Sequence, residues 1–386
     1  MTDSMQEDQS DTAEAVSSAL AAASIGEDVR FPDVTALEAF DVTIIDDAVI
    51  VTVTLPVPSD SLRAVVERDV RRAVQAIDSV STVECRFEPV VSDPGTRVEF
   101  IPDVKNVVAV SSGKGGVGKS TIAVNIATAL SEAGASVGLL DADVYGPNAP
   151  AMLGLGERKP GATQADEMVP REAHGVKVMS IGFITGEDDP VIWRGPLVDE
   201  FIKQLFGDVA WGALDYLIVD MPPGTGDAQL SLIQHLPVTG AVIVTTPQLV
   251  ALDDARRGLR GFAEYDVPVL GIVENMTSFE CPDCGSAHEI FDSGGASRLC
   301  EEFSVPLLGA IPLDSAVGTL DGETDDDSKP PGVSVPGIGR LQLPQTRAER
   351  ERPSSLPPIS LRDDGGGARG ALNLTATRIA AQINKL

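Results

Sequence analysis

Between Ser111 and Thr121 the sequence reads SSGKGGVGKST, and this run supplies the chemistry of an anion cradle. It fits the spacing G-x-x-x-x-G-K-[ST] from Gly113 to Ser120. Gly113, Gly115, Gly116 and Gly118 let backbone N–H groups turn toward a phosphate, with Val117 and Thr121 completing the loop. The helix that follows adds positive potential at its N-terminus. Lys119 is placed to reach the β- and γ-phosphates of ATP, and Ser120 to ligate Mg²⁺. A second lysine, Lys114, stands early in the loop and points away from the cradle of its own chain. A lysine there reaches a nucleotide held by a facing subunit, as an arginine finger does in trans.

A second chemical signal is FECPDCGSAHEIF, residues 279–291. Its C-P-x-C-G turn brings the thiolates of Cys281 and Cys284 together, and Gly285 lets backbone N–H groups approach sulfur. A metal or cluster takes four ligands, and the chain supplies one such pair. Cys85 and Cys300 stand alone. Four readings are open on the residues: a [4Fe–4S] cluster shared by two chains, Zn²⁺ bound in the same way or with His288, a redox pair, or two free thiols in a structural turn.

The elements that must position these groups follow from the hydrophobic pattern. From Val104 onward, runs such as NVVAVSS, SVGLLDAD, YLIVDMPP, GAVIVTTP and VLGIVENM alternate with helical stretches. Continuous apolar runs mark strands buried on both faces, so the class is α/β, with a mostly parallel sheet covered by helices. Residues 29–92 read as a small α+β domain, with a hairpin signal at DVTIIDDAVIVTVTLPV and an amphipathic helix after it. Residues 1–28 read as a disordered or loosely helical acidic tail and 93–104 as a linker. The core domain runs over 105–318. A mobile Pro/Gly-rich insertion is expected at 319–368 and a C-terminal helix over 369–386.

KGGVGKS, then DADVYGPNAP at 141–150, then DMPPGTGD at 220–227, resemble the deviant Walker A ATPases. The resemblance implies a P-loop NTPase fold and slow ATP hydrolysis in a nucleotide-sandwich dimer. It implies that Lys114 acts across that dimer, that Asp143 helps position the attacking water, and that Asp220 holds Mg²⁺ through water. It implies a base-recognising role for Asn275. Together with NMTSFECPDCGSAHEIF, WRGPLVDEFIKQLFGDVAWGALDYLIVDMPPGTGD and VPLLGAIPLD, the motifs resemble the Mrp/ApbC iron–sulfur cluster carriers over roughly 105–315. That implies a labile [4Fe–4S] cluster bridged by Cys281 and Cys284 in a homodimer, for transfer to apo iron–sulfur proteins. The first domain resembles the SufT-like small domain of such proteins. TLPVPSDSLR has serines where a cysteine often follows that hairpin, so no cluster chemistry is expected there.

Two other classes share these motifs. A ParA/MinD-like partition or positioning ATPase would bind DNA or membrane. A reductase resembling the nitrogenase iron protein would use single, well-separated cysteines. The C-x-x-C argues against both, and a zinc-bridged dimeric ATPase remains the alternative for the metal. Net charge is −29, with 58 acidic against 29 basic residues, which opposes binding to nucleic acid. No apolar run is long enough to cross a bilayer, no basic and apolar leader opens the sequence, and four cysteines are too few for a disulfide scaffold. The cytoplasm is the expected compartment. Acid spread along the whole chain suggests a halophilic protein, because salt screens carboxylate repulsion. The melting temperature should therefore rise from low to molar KCl, and a flat profile by differential scanning calorimetry would count against that reading.

Overall fold

The computed structural model describes residues 2–25, 29–30, 40–45, 48–93, 101, 103–144, 146–156, 159–184, 204–224, 226, 229, 232–234, 236–281, 286–291, 294–314, 332–335, 339–342, 358–361 and 366–386. Two hydrophobic cores form within them.

The smaller core belongs to the first domain. Strands β1 (Phe40–Ile45) and β2 (Ala48–Leu55) pair antiparallel, and β3 (Thr82–Pro89) joins β2 in parallel. Strict alternation in β2 sends Val49, Val51, Val53 and Leu55 inward. The crossover helix α2 (Asp60–Gln75) starts at Ser59, whose hydroxyl oxygen accepts the Leu62 N–H at 3.2 Å. Val66, Val70 and Val74 recur every fourth residue and bury against the sheet. The acidic N-terminal stretch is not a disordered tail. It is helix α1 (Thr2–Ala22), and Val16 and Leu20, four residues apart, insert fully into the small core. One apolar stripe is enough to dock a segment that is otherwise polar.

The larger core is built on a nine-stranded sheet. Its strands are β4 (Val104–Ser111), β5 (Val137–Asp141), β6 (Arg171–Ala173), β7 (Val176–Ser180), β8 (Leu214–Asp220), β9 (Gly240–Thr245), β10 (Val269–Glu280), β11 (Ala287–His288) and β12 (Leu307–Leu313). The spatial order is β6-β7-β5-β8-β4-β9-β10-β11, with β12 also paired to β10. Neighbours from β7 through β10, and β12 on β10, run parallel, while β6 and β11 add antiparallel edges. Parallel pairing brings Ser111, Asp141, Asp220 and Thr245 to one edge of the sheet, where such folds bind ligands.

Helix α3 (Lys119–Glu132) is buried along most of its length because it is covered twice. One side lies on the sheet; the other meets the turn Ile359–Leu361 and the C-terminal helix α7 (Gly366–Ile383). Asn125 Oδ1 accepts the Ser360 N–H at 2.8 Å, and the Thr128 and Ser360 hydroxyls meet at 2.7 Å. Helix α7 also lies on β12, so close that a Cβ at Gly309 would overlap Thr375 Oγ1. The C-terminal helix is thus part of the core. The expected mobile insertion falls largely outside the described residues.

The two cores meet at the opposite edge of the sheet from Asp141 and Asp220. Val57 enters the larger core, Leu62 touches both, and Leu374 of α7 packs on the smaller. The Asn384 amide grips the connecting chain twice, donating to Val90 O at 3.0 Å and accepting the Ser92 N–H at 2.9 Å. Asn106, near the start of β4, donates to Ser92 O at 2.8 Å. Asn384→Ala removes both contacts of the latch and should lower stability by about 1–2 kcal/mol, at ~0.5–1.5 kcal/mol per hydrogen bond. Urea unfolding checks this, and an unchanged midpoint would show that the latch is not stabilising.

Candidate functional site

The glycine-rich run folds as the turn between β4 and α3. Gly116 (φ 81°) and Gly118 (φ 85°) adopt the left-handed region that β-carbon-bearing residues avoid. Gly118 is constrained a second time, since a Cβ there would overlap the Asn275 amide. A Cβ on Gly113 would overlap the Asp254 backbone of helix α5 (Leu249–Glu264). Lys114, Gly115 and Gly116 form the exposed crest of the loop. The Lys114 carbonyl accepts the Ser112 hydroxyl at 2.9 Å.

Lys119 opens α3 and is 6% exposed. Its ammonium lies 2.5 Å from Asp220 Oδ1 and 3.4 Å from Asp143 Oδ2, and it donates to Ser120 Oγ at 3.3 Å. Asp220 is fully buried, and its Oδ2 has no hydrogen-bond partner. Burial raises the Asp220 pKa, and Lys119 pulls against that rise. Asp141, one strand over in register with Asp220, is pushed up to about 8, first by burial and then by the Asp220 charge. A buried acceptor without a donor suits a water held by a cation, so Asp220 and Ser120 fit a Mg²⁺ site.

Asp141 was not among the residues singled out in the sequence. Its carboxylate accepts the Asp143 N–H at 3.2 Å, the Ala149 N–H at 3.1 Å and the Ser180 hydroxyl at 3.1 Å. It therefore sets the start and end of the segment that carries Asp143, which leads into the short helix α4 (Ala149–Met152). The doublet D-A-D was the available signal. Gln229 was missed as well, and nothing local marks it. It is 3% exposed and donates to Ser111 Oγ, while the Gly224 N–H bonds Ser112 O at 2.9 Å. These two contacts tie the stretch after Asp220 to the root of the phosphate loop.

Asn275 sits within β10, 8% exposed, and donates its amide to Val117 O at 2.9 Å. Cys281 follows the end of that strand. Its N–H bonds Ser286 O at 3.0 Å, and β11 pairs back on Phe279 and Glu280, which closes the knuckle. Cys284 lies outside the described residues. His288 is exposed on β11. Cys85 belongs to strand β3 of the small domain and Cys300 to helix α6 (Gly295–Phe303). Among the described residues, no three His, Cys, Asp or Glu side chains converge on a point that a metal could occupy.

Burial pushes the Cys85 and Cys300 thiols up to about 11. The thiolate is the nucleophile, so each is mostly unreactive at pH 8 and gains reactivity only as pH rises toward 11. Iodoacetamide at pH 8 should label Cys281 at least ~10-fold faster than either. Peptide mass spectrometry reads the rates, and equal labelling would contradict the reading of these two partly buried thiols as desolvated.

Residues 103–331 match the family described as ParA, the NUBPL iron-transfer P-loop NTPases. An iron–sulfur cluster carrier protein of Synechocystis is 49% identical over 306 residues, which is 77% of this chain and 84% of that protein. Another from Deinococcus radiodurans is 50% identical over 271 residues, covering 70% of this chain and 76% of that one. A solved nucleotide-binding protein from Archaeoglobus fulgidus, in complex with ADP, is 39% identical with a TM-score of 0.52. The match covers 59% of this chain and 89% of that one. With most of its ATPase core matched and its phosphate loop intact, this chain belongs to the NUBPL-type iron-transfer P-loop NTPases of the ParA family.

Proposed function

We propose that the protein is an ATP-dependent iron–sulfur cluster carrier that holds a labile [4Fe–4S] cluster between two copies and passes it to apo iron–sulfur proteins. The observation that carries this reading is one knuckle with Cys281 at the tip of the strand that also bears Asn275. Metal chemistry and nucleotide chemistry share one rod of structure. Cargo and nucleotide are both substrates of the protein, and the reduced thiols that the work needs are those of the cytoplasm.

The geometry supports the following roles. The loop N–H groups and Lys119 bind the β- and γ-phosphates. In doing so Lys119 exchanges part of its contact with Asp220 for phosphate oxygen. Ser120 directly and Asp220 through water would hold Mg²⁺, which supplies charge neutralisation across the phosphates when bound. Asp143, fixed by Asp141 behind it, orients the attacking water. Lys114, on the exposed crest, completes the site of the facing copy. Hydrolysis is slow because its output is a change of shape. Among the described residues no helix is long and apolar enough to span a bilayer.

The test is anaerobic reconstitution followed by iron and sulfide assay, sedimentation and nucleotide titration. Wild-type protein should load about four irons and four sulfides per two chains, by the four-thiolate rule. Cys281→Ser and Cys284→Ser should each fail to load while still binding ATP, and Cys85→Ser and Cys300→Ser should load normally. Lys119→Ala should lose ATP affinity. Lys114→Ala should bind ATP but hydrolyse it at least ~10-fold more slowly; a trans cation contributes up to ~10³–10⁵ in GTPases. A cluster held by a monomer, or full loading without Cys281, would refute the bridged carrier.

A further inference from the structure

Strand β10 touches three separate parts of the molecule within its twelve residues. Asn275 holds the phosphate loop through Val117 O. Glu274, 6% exposed, accepts the Ala296 N–H in the first turn of α6. Glu280 pairs with Ala287 at the base of the knuckle, and Cys281 follows.

The contact with Val117 has a consequence for the phosphate cradle. A trans peptide is planar, so the carbonyl of Val117 and the N–H of Gly118 point in opposite directions. Holding the carbonyl from behind aims the Gly118 N–H forward, toward the side where the loop binds anions. Asn275 therefore sets the orientation of one donor of the cradle without needing to touch phosphate. The packing is close, because Gly118 has no room for a Cβ beside the amide.

Between this clamp and the knuckle, the strand is irregular. Met276 takes φ 59°, a left-handed conformation that costs a residue with a side chain about 1 kcal/mol or more. The pairing of β10 with β12 shifts register between Asn275 and Phe279. Strain of this kind persists where its surroundings hold it, here between the loop contact and the hairpin carrying Cys281.

We propose that Asn275 is a positioning residue which, through the strained Met276, couples the phosphate loop to the cysteine knuckle, so that nucleotide and metal each change the affinity for the other. The inference rests on the reading of the knuckle as a metal site. Nucleotide phosphates fix the 117–118 peptide plane, the amide of Asn275 follows the Val117 carbonyl, and the following residues move the return hairpin. Coupling is reciprocal by thermodynamic necessity, with the same factor in both directions, commonly ~5–150-fold.

The experiment uses the full chain with Co²⁺ as the probe, followed by its thiolate absorption, and ATP affinity by calorimetry with and without Co²⁺. In wild-type protein, Co²⁺ should change ATP affinity at least ~5-fold, and saturating ATP should change Co²⁺ affinity by the same factor. Asn275→Ala should weaken ATP binding and bring the factor close to one. Met276→Gly fits φ 59° without strain, so it should fold and bind each ligand alone much as wild type, again with a factor near one. A general loss of structure would not leave both single affinities standing while the factor disappears. A wild-type factor near one with Co²⁺ bound overturns the coupling and leaves the carrier reading intact. So does retention of the wild-type factor in both variants. Absence of any Co²⁺ absorption dependent on Cys281 overturns the carrier reading, and the coupling with it.

Discussion

The buried ammonium of Lys119 is the interaction on which the nucleotide end of this protein depends. Two carboxylates, Asp220 and Asp143, face it from strand β8 and the segment after β5, and Asp141 stands behind. Parallel strands force these residues together, since each ends at the same edge of the sheet. Removing one partner from a buried pair leaves an uncompensated charge, at about 3–5 kcal/mol. The pairing therefore keeps the site assembled, and it also primes it. A phosphate that draws Lys119 toward itself leaves Asp220 in need of another cation, the role that Mg²⁺ fills beside Ser120. Burial raises both Asp141 and Asp220, which limits how much negative charge accumulates behind the lysine.

A buried cluster of charges of this kind requires close packing around it, and the composition supplies it with small aliphatic side chains. Only 4% of residues are aromatic. Helix α3 begins at the phosphate loop and is sheathed by the sheet, the Ile359–Leu361 turn and α7, so its first residue cannot shift without disturbing several contacts. The polar contacts of Asn125 and Thr128 with Ser360 fix how α3 meets that cover. In a chain of net charge −29, the carboxylate repulsion is left to the surface, while the core holds few ionisable groups, and those are paired or hydrogen-bonded.

Legibility in the sequence followed locality. The phosphate loop and the buried strands were readable because glycine spacing and continuous apolar runs are short-range signals. Asp220 was readable because it closes such a run. The C-x-x-C with glycine is a local signal of the same kind, and of its two cysteines only Cys281, at the end of β10, lies within the described residues. Contacts across the fold were not. Asp141 looks like any strand-end acid until its carboxylate is seen collecting the N–H groups of Asp143 and Ala149. Asn275 resembles a base-recognising residue by motif, yet its amide is bonded to the backbone of a loop 158 residues away in sequence. The acidic N-terminus reads as disordered or loosely helical because composition outweighs two apolar residues, Val16 and Leu20, whose spacing matters only once a partner surface exists.

The two edges of the sheet are chemically unlike, and that division explains how a second domain can be attached without disturbing the site. At the nucleotide edge the side chains are buried charges and strained backbone. At the other edge, beside the Lys105–Asp215 ion pair, the contacts between the two domains are neutral amides, a phenol and aliphatics: Asn384 and Asn106 on the linker, Tyr216 donating to Pro56 O at 3.4 Å, and Val57 in the larger core. Tyr216 and Asp220 lie on the same strand, so the small domain and the phosphate site share β8 but not its reactive end. Helix α7 supplies the second tie, touching α3, β12 and, through Leu374, the small core. The small domain is thus joined to the ATPase core by rigid elements on the side away from the chemistry.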